Sequence, residues 1–508
     1  MRIAVIGAGI SGITAARSLM QCGHEVVVFE RLSELGGVWT RAYPEVRLQN
    51  QAAQYRLSDF DWPFTPDSNP TGDQVSRYWH AVVERFGIDV RLAHTIVRMD
   101  EHMDEHGDGW QLVCEHPGGR EEYRFDFVVV ATGHFSEGKR RLRLPGEEGF
   151  TGQVVTEREI DDLEVLRGRR VAVIGFGKSA VDMAAFAAER GAQVHHVFRE
   201  ARWLVPIRIF GVHYSTLLFS RVNTAMNPCW VQPTAGQRFL HQRLRPLVRG
   251  FWRMVGGSVR LQNGIHPLWR DRAVRERLRA LLPRDSFDYQ IRAGTALAPP
   301  AYFPAVVAGR IIPYRGTPGH FEADALVLDD GRRIPCDLVV AAMGNRSPRF
   351  PFLPDPYRAL LEADDDGVQL YRHLLHPRVP RLAFAGFNHG ALHVAAVEIA
   401  MLWLSAYLRG DLRLPPVAHM ERCIEQIKAW KREHMLFEPA RACTVNARFQ
   451  HYADVMLREL GLNPYRKRGL RAELFEGYGA ADYGGLIEEY EQARRARARP
   501  FEPLPLCT

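Results

Sequence analysis

Between Ala201 and Arg270 the chain contains no aspartate and no glutamate, yet it carries ten arginines there. The 508 residues together bear a formal charge of +7, so the remainder is net acidic. Such a local basic stretch says more about a partner surface than the overall charge does. Cysteine is sparse: seven are scattered from Cys22 to Cys507, none as C-x-x-C or in a zinc spacing. That pattern excludes a disulfide framework, a zinc site and the paired redox thiols of a disulfide reductase. Bilayer-length apolar runs are missing too. The best stretch, "HVAAVEIAMLWLSAYL" (393–408), is interrupted by Glu398, and a spanning helix needs about 20 apolar residues. The first strand starts at Ile3, which leaves no room for a signal peptide, so cytoplasmic synthesis is expected. Hydrophobic residues at 46% and charged residues at 25% are ordinary for a globular protein. A chain of this length predicts two or three domains.

What is present begins at the first residues. "RIAVIGAGISG" is a buried-strand run followed by Gly7-x-Gly9-x-x-Gly12. The first glycine permits a tight turn, the second lets backbone N–H groups reach a pyrophosphate, and the third lets the helix pack on the strand. The next strand, "EVVVFE", ends at Glu30. An acid there accepts hydrogen bonds from a ribose 2′-hydroxyl and repels a 2′-phosphate. This site suits FAD or NAD.

A second copy follows at Gly175-x-Gly177-x-x-Ala180, after the run "RRVAVI" and with Ser179 at the helix start. Its partner strand, "AQVHHVF", ends at Arg199 instead of an acid. A guanidinium there can hold a 2′-phosphate, and Lys178 and Arg202 add charge, so this site prefers NADPH. The alternative for Arg199 is a solvated strand-end charge. Two cradles imply two nucleotides: FAD held permanently, and NADPH bringing a hydride to it.

With both turns in hand, the chain resembles a flavin-containing monooxygenase of the dimethylaniline monooxygenase type. Further motifs carry the resemblance. "ELGGVW" supplies Gly36, Gly37 and Trp39, and "RLQNQAAQYRLSDFDWP" supplies Asn50. "DFVVVATGHF" supplies Thr132 and Gly133, and "DLVVAAMGNR" (337–346) is a degenerate second copy. "RLAFAGFNHGALHVAAVEIAMLW" completes the series near Trp403. One motif departs: in "FTGQVVTEREI", Phe150 and Gly152 fit the family fingerprint, but Thr156 stands for its histidine and Ile160 for its aromatic residue.

The resemblance implies an enzyme in which reduced FAD and O₂ give a C4a-hydroperoxide that passes one oxygen to an amine nitrogen or a sulfide sulfur of a small or lipophilic substrate. Baeyer–Villiger oxygenation and NADPH oxidation stay open because of the altered fingerprint; flavin binding without oxygenation is a third reading, against which the two intact cradles argue. By the same resemblance Asn50 is the candidate catalytic residue, orienting the nicotinamide ribose or the flavin edge; its plainer reading is a turn asparagine.

The expected fold is α/β, with two doubly wound Rossmann-like dinucleotide-binding domains, one inserted in the other. The FAD domain takes residues 1–155 and 335–415. The NADP domain takes 156–334, with a partly helical insertion at 206–295, and a helical C-terminal extension covers 416–508. His389 and His393 share a helical spacing near Glu398, but a packing or capping role is expected, and no metal. Of His195 and His196 on one strand, one should be buried and the other exposed. Trp39 is as readily core as cofactor contact.

The acid-free stretch contains "QRFLHQRLRPLVRGFWRMV" (237–255). On a helical projection Arg238, Gln242, Arg245, Arg249 and Arg253 form one stripe, and Leu240, Leu244, Leu247, Phe251 and Val255 the opposite one. Pro246 interrupts it or opens its second half. The apolar stripe has three uses: peripheral membrane contact through 206–270, packing on the protein's own body, or a homodimer interface. A nucleic-acid partner is not expected, since long apolar residues interleave the arginines and no recognition module matches.

Overall fold

The computed structural model describes residues 1–508 apart from 105–106, 136, 230–232, 267–270, 295, 439–441, 498 and 505–508. Arg270 and Cys507 lie outside the described residues. Two five-stranded parallel sheets organise the chain. The first runs in the order Leu382–Phe384, Phe127–Val130, Arg2–Ile6, Glu25–Phe29, Asp89–Arg91. The second runs Ile311–Arg315, Gln193–Phe198, Arg170–Ile174, Leu338–Ala341, Gln153–Val155. Their central strands read "RIAVI" and "RVAVI" and are buried on both faces, as parallel strands covered on both sides must be.

The covering layers repeat. In the first sheet Ile3 and Val5 face a core shared with the helices Ile10–Gln21 and His393–Leu408. Ala4 and Ile6 face the other way, onto an antiparallel sheet that supplies Trp110 and Phe125. In the second sheet Val171 and Val173 face the helix Lys178–Glu189, and Ala172 and Ile174 face an antiparallel sheet that supplies Phe321 and Leu326. The run 393–408 is a core helix: it is buried from His393 to Ala406, which is where an all-round apolar helix belongs. Among the described residues no helix is long and apolar enough to cross a membrane.

Sheet membership moves the expected domain limits. Gln153–Val155 and Leu338–Ala341, expected in the FAD domain, both belong to the second sheet. The chain passes between the sheets at 138–140 and 344–346. These segments pair with each other through Arg140 N–H to Gly344 O (3.0 Å) and Arg346 N–H to Gly138 O (3.1 Å). The two crossings are thus one hydrogen-bonded strap.

The insertion is helical, with its longest helix over Arg245–Gln262 and Pro246 in its first turn, where proline's missing N–H costs nothing. The inward face differs from the projected stripe. Val248, Trp252 and Val259 face inward, while Leu244 and Leu247 face solvent and only Leu240, Phe251 and Val255 pack partly against the core. The helix Ala235–Arg243 ends before Pro246, so one continuous projection does not apply. The C-terminal helices clamp the insertion: Arg221 reaches Asp454 through two bonds of 2.8 and 3.0 Å and also pairs with Glu473.

Candidate functional site

Each glycine turn closes in the same way. Gly7 donates to Phe29 O (2.7 Å) and Gly175 to Val197 O (2.9 Å). Both lie at positive φ, 112° and 121°. A Cβ on Gly7 would stand 2.7 Å from Ala131 O, and one on Gly175 2.3 Å from Ala342 O. Only glycine fits either place. At the third position a Cβ on Gly12 would meet Gly7 O at 1.8 Å, whereas the second turn accommodates Ala180.

The middle glycines differ in kind. A Cβ on Gly9 would find its nearest atom at 3.7 Å, and one on Gly177 would find nothing within 4 Å. Neither has a positive φ, so the fold itself does not require glycine there. Gly9 and Gly177 are also the N-caps of Ile10–Gln21 and Lys178–Glu189, and neither helix has a side-chain cap. Uncapped N–H groups facing a space that a methyl would fill form an anion cradle. On these observations the two turns fit the pyrophosphates of two dinucleotides.

Around the first turn, the Glu30 carboxylate accepts from Ala8 N (2.8 Å) and Leu32 N (2.9 Å), which leaves lone pairs for a hydroxyl. Gly37 packs its backbone against Gly9, and Trp39 sits edge-on to Tyr55 at 6.3 Å between centroids. Thr132 and Gly133 follow the strand Phe127–Val130 and line the same cleft, with Thr132 Oγ1 buried and unpartnered among the described residues.

Around the second turn, Arg199 is exposed just beyond Gln193–Phe198 and has no ion pair among the described residues. Lys178 pairs with Asp182, and Arg202 with Glu438, so the extra charges expected there are partly engaged. Ser179 is the second residue of the helix. His195 and His196 are both buried, against expectation, because the sheet is covered on both faces. His196 was not singled out for the cradle. Its Nε2–H donates to Gly175 O (2.7 Å) and its Nδ1 accepts from Tyr302 OH (2.7 Å), so it braces the turn. Burial lowers its pKa to about 4, which keeps it neutral.

Both turns open onto one cleft of about 670 Å³. Asn50 lines it. Its Nδ2 donates to Ala391 O, and its Oδ1 accepts from Tyr214 OH at 3.5 Å. The loop carrying Asn50 and the neighbouring Asn69 are fastened to the insertion three times and to Leu297, just beyond it, once. Beside the Tyr214 contact, His213 Nε2 meets Asn69 Oδ1 (3.3 Å), Ser215 Oγ meets Gln51 Oε1 (3.2 Å), and Leu297 N meets Gln49 Oε1 (2.9 Å). Asn69 in turn holds the carbonyls of Leu48, Gln49 and Asn50. Sequence reasoning passed over Tyr214 and Asn69, since no local pattern marks a contact across 164 residues.

The altered fingerprint residues have structural tasks. Thr156 N and Oγ1 both donate to Glu159 Oε2 (2.8 and 2.9 Å), capping a short turn, and Ile160 is buried in the second core. Phe150 stacks on Phe321 at 4.8 Å. His393 Nε2 meets Ser11 Oγ at 2.9 Å and joins two core helices. Glu398 accepts from Ser58 N and Oγ and lies 3.6 Å from Arg17. Among the described residues no cluster could hold a metal.

Sheet order, paired glycine turns and a shared cleft define a two-dinucleotide oxidoreductase. The comparisons make that class specific. A family model described as flavin-binding monooxygenase-like matches residues 1–243. The chain is 28% identical to a probable flavin-containing monooxygenase 1 of Arabidopsis thaliana, over 96% of this chain and 97% of that one. It is 27% identical to flavin-containing monooxygenase 5 of Rattus norvegicus, over 82% and 75%. Among solved structures, the S-allyl-L-cysteine S-oxygenase of Allium sativum aligns with a TM-score of 0.59 at 19% identity, over 98% and 99% of the two chains. An open structure of cyclohexanone monooxygenase aligns with a TM-score of 0.65 at 18% identity, over 91% and 97%. The chain thus resembles the flavin-binding monooxygenase-like family, whose model matches residues 1–243, and its relatives support a FAD-dependent monooxygenase enzyme; FAD and NADPH are the usual cofactors of such enzymes.

Proposed function

We propose that the enzyme uses NADPH and O₂ to place one oxygen atom on a soft nucleophile, an amine nitrogen or a sulfide sulfur, with the second oxygen leaving as water. The observation that carries this reading is the pair of uncapped glycine turns opening onto one cleft. FAD, when bound, supplies O₂ activation and oxygen transfer. Gly7, Gly9 and Gly12 cradle its pyrophosphate, Glu30 takes its ribose, and Gly37, Trp39, Thr132 and Gly133 border it. Gly175, Gly177 and Ser179 hold the NADPH phosphates, and Arg199 takes the 2′-phosphate. Asn50, anchored on Ala391 O and met by Tyr214, orients the nicotinamide ribose or the flavin edge from the wall of the shared cleft. Burial raises the Tyr214 phenol well above its usual range, so it stays a donor. The apolar walls keep water from the reacting atoms. The test is to follow NADPH loss against product with an amine, a sulfide and a ketone. Stoichiometric N- or S-oxide supports the reading. Lactone or ester from the ketone alone assigns Baeyer–Villiger chemistry, and peroxide alone assigns an oxidase.

We also propose peripheral attachment to anionic membranes through the insertion. Phe210, Leu247 and Met254 are 69%, 56% and 62% exposed. They stand among exposed Arg208, Arg245, Arg249 and Arg253. Apolar side chains flanked by arginines suit an anionic interface, each arginine adding about 1 kcal/mol. Flotation with anionic vesicles at low salt, lost at high salt, is expected. A soluble dimer in place of flotation assigns the same surface to a second subunit.

A further inference from the structure

The inner end of the cleft is made by the insertion and the C-terminal extension. Tyr214, Leu218, Phe219, Trp252, Ile291 and Phe449 give it apolar walls. The acidic residues that line the cleft among the described residues, Glu30 and Glu137, belong to its nucleotide half, and none of those described lines this end. The amides of Asn223 and Asn446 are used inside the wall, on Leu218 O and Ile291 O (2.9 Å each).

Asn227 is different. It is 0% exposed and lines the cleft. Its Oδ1 accepts from Arg292 Nε at 3.3 Å, and that guanidinium fixes the amide orientation because it can only donate. Nδ2 is left without a partner among the described residues. Thr444, 2% exposed and on the same cleft, has an Oγ1 that is also unpartnered. A buried donor left unmade by the protein is completed by an ordered water or by a ligand, and one that lines a cleft is open to a ligand. The guanidinium behind Asn227 is itself paired with Asp288, and no carboxylate among the described residues lines this end, so a cation entering it loses its hydration and gains no counter-charge.

We propose that this end is the substrate chamber, that it takes an uncharged, mainly apolar molecule bearing a hydrogen-bond acceptor, and that Asn227 Nδ2 is the specificity-determining donor, with Thr444 beside the same space. The proposal rests on the monooxygenase reading and narrows it: neutral sulfides and carbonyl compounds are preferred over amines that carry a proton in water.

Three probes of one shape test it: methyl p-tolyl sulfide, 4-(methylthio)acetophenone and 4-(methylthio)benzylamine. Their binding to the oxidised holoenzyme is measured calorimetrically, without NADPH. The ketone should bind most tightly and the ammonium compound least. Asn227→Leu should weaken the ketone about five- to tenfold, the worth of one hydrogen bond, and leave the tolyl sulfide unchanged. Asn227→Asp, nearly isosteric, should reverse the order of ketone and ammonium. Thr444→Val should weaken the ketone without affecting the tolyl sulfide. Flavin content and melting temperature report whether each variant is folded. Equal binding of ketone and tolyl sulfide to the wild type, or equal losses for all three probes in Asn227→Leu, overturns the proposal. Because binding is read without turnover, an intact binding order with no oxygenated product refutes the monooxygenase reading and leaves the chamber standing.

Discussion

Gly177→Ala separates nucleotide binding from folding. The added methyl meets nothing within 4 Å, and the backbone at φ −85° and ψ −179° accepts alanine. Alanine is a poorer N-cap than glycine by some tenths of a kcal/mol, and its unfolded chain is less entropic by about 0.4–1 kcal/mol. These terms oppose, so stability should hold within about 1 kcal/mol, or about 1 °C in Tm for a chain of this size. The methyl nonetheless fills the space over the N–H groups that open Lys178–Glu189. Losing one charge-assisted contact to a phosphate costs about 1.5–3 kcal/mol, or roughly ten- to a hundredfold in Kd. The expected variant is yellow, folded and slow to be reduced by NADPH. Gly175→Ala is the contrast: at φ 121° and 2.3 Å from Ala342 O its Cβ should destabilise the protein outright. Rapid-mixing anaerobic flavin reduction gives the NADPH Kd, and a melting curve gives stability. A Gly177→Ala Kd within twofold of wild type would refute the cradle.

Other outcomes follow from the same site. Arg199→Ala should raise the NADPH KM about ten- to a hundredfold and leave NADH nearly unchanged; equal use of both nicotinamides by the wild type would remove Arg199 from the 2′-phosphate. Asn50→Ala should convert NADPH consumption from product to H₂O₂ with FAD retained, whereas normal coupling would return Asn50 to a turn residue. Stability should fall as pH drops from about 6.5 to 4. Burial holds His24, His196 and His393 at about 4 in the native state, so only the unfolded chain takes up their protons in that window, at about 3 kcal/mol each for the fully enclosed His196 and His393 and less for His24. Glu398, raised to about 7, has the opposite sign: its contribution is complete at low pH and is lost as pH rises through 7, so it offsets part of the slope. A melting temperature that stays level from pH 6.5 to 5 would refute the neutral buried histidines.

The sequence alone determined the two cradles. A buried strand, a glycine turn and a helix start lie within about a dozen residues, and the acid or arginine at the next strand end is equally local in pattern. Nothing distant is needed to read Gly7–Glu30 or Gly175–Arg199, and the structure builds both turns alike. Only the tertiary structure decided the rest of the site. Asn50 meets Tyr214, and Asn227 and Thr444 share one cleft, because helices far apart in sequence fold over the same space. Which side of Arg245–Gln262 turns inward was likewise set by its partners: Val248 and Trp252 find the core while equally apolar Leu247 is left in solvent. Periodicity gives a helix an apolar face, but the rotation of that face depends on the surfaces it meets. His195 and His196 show the same limit, since alternation predicts one face inside only when the other sees water, and here both faces of the sheet are covered.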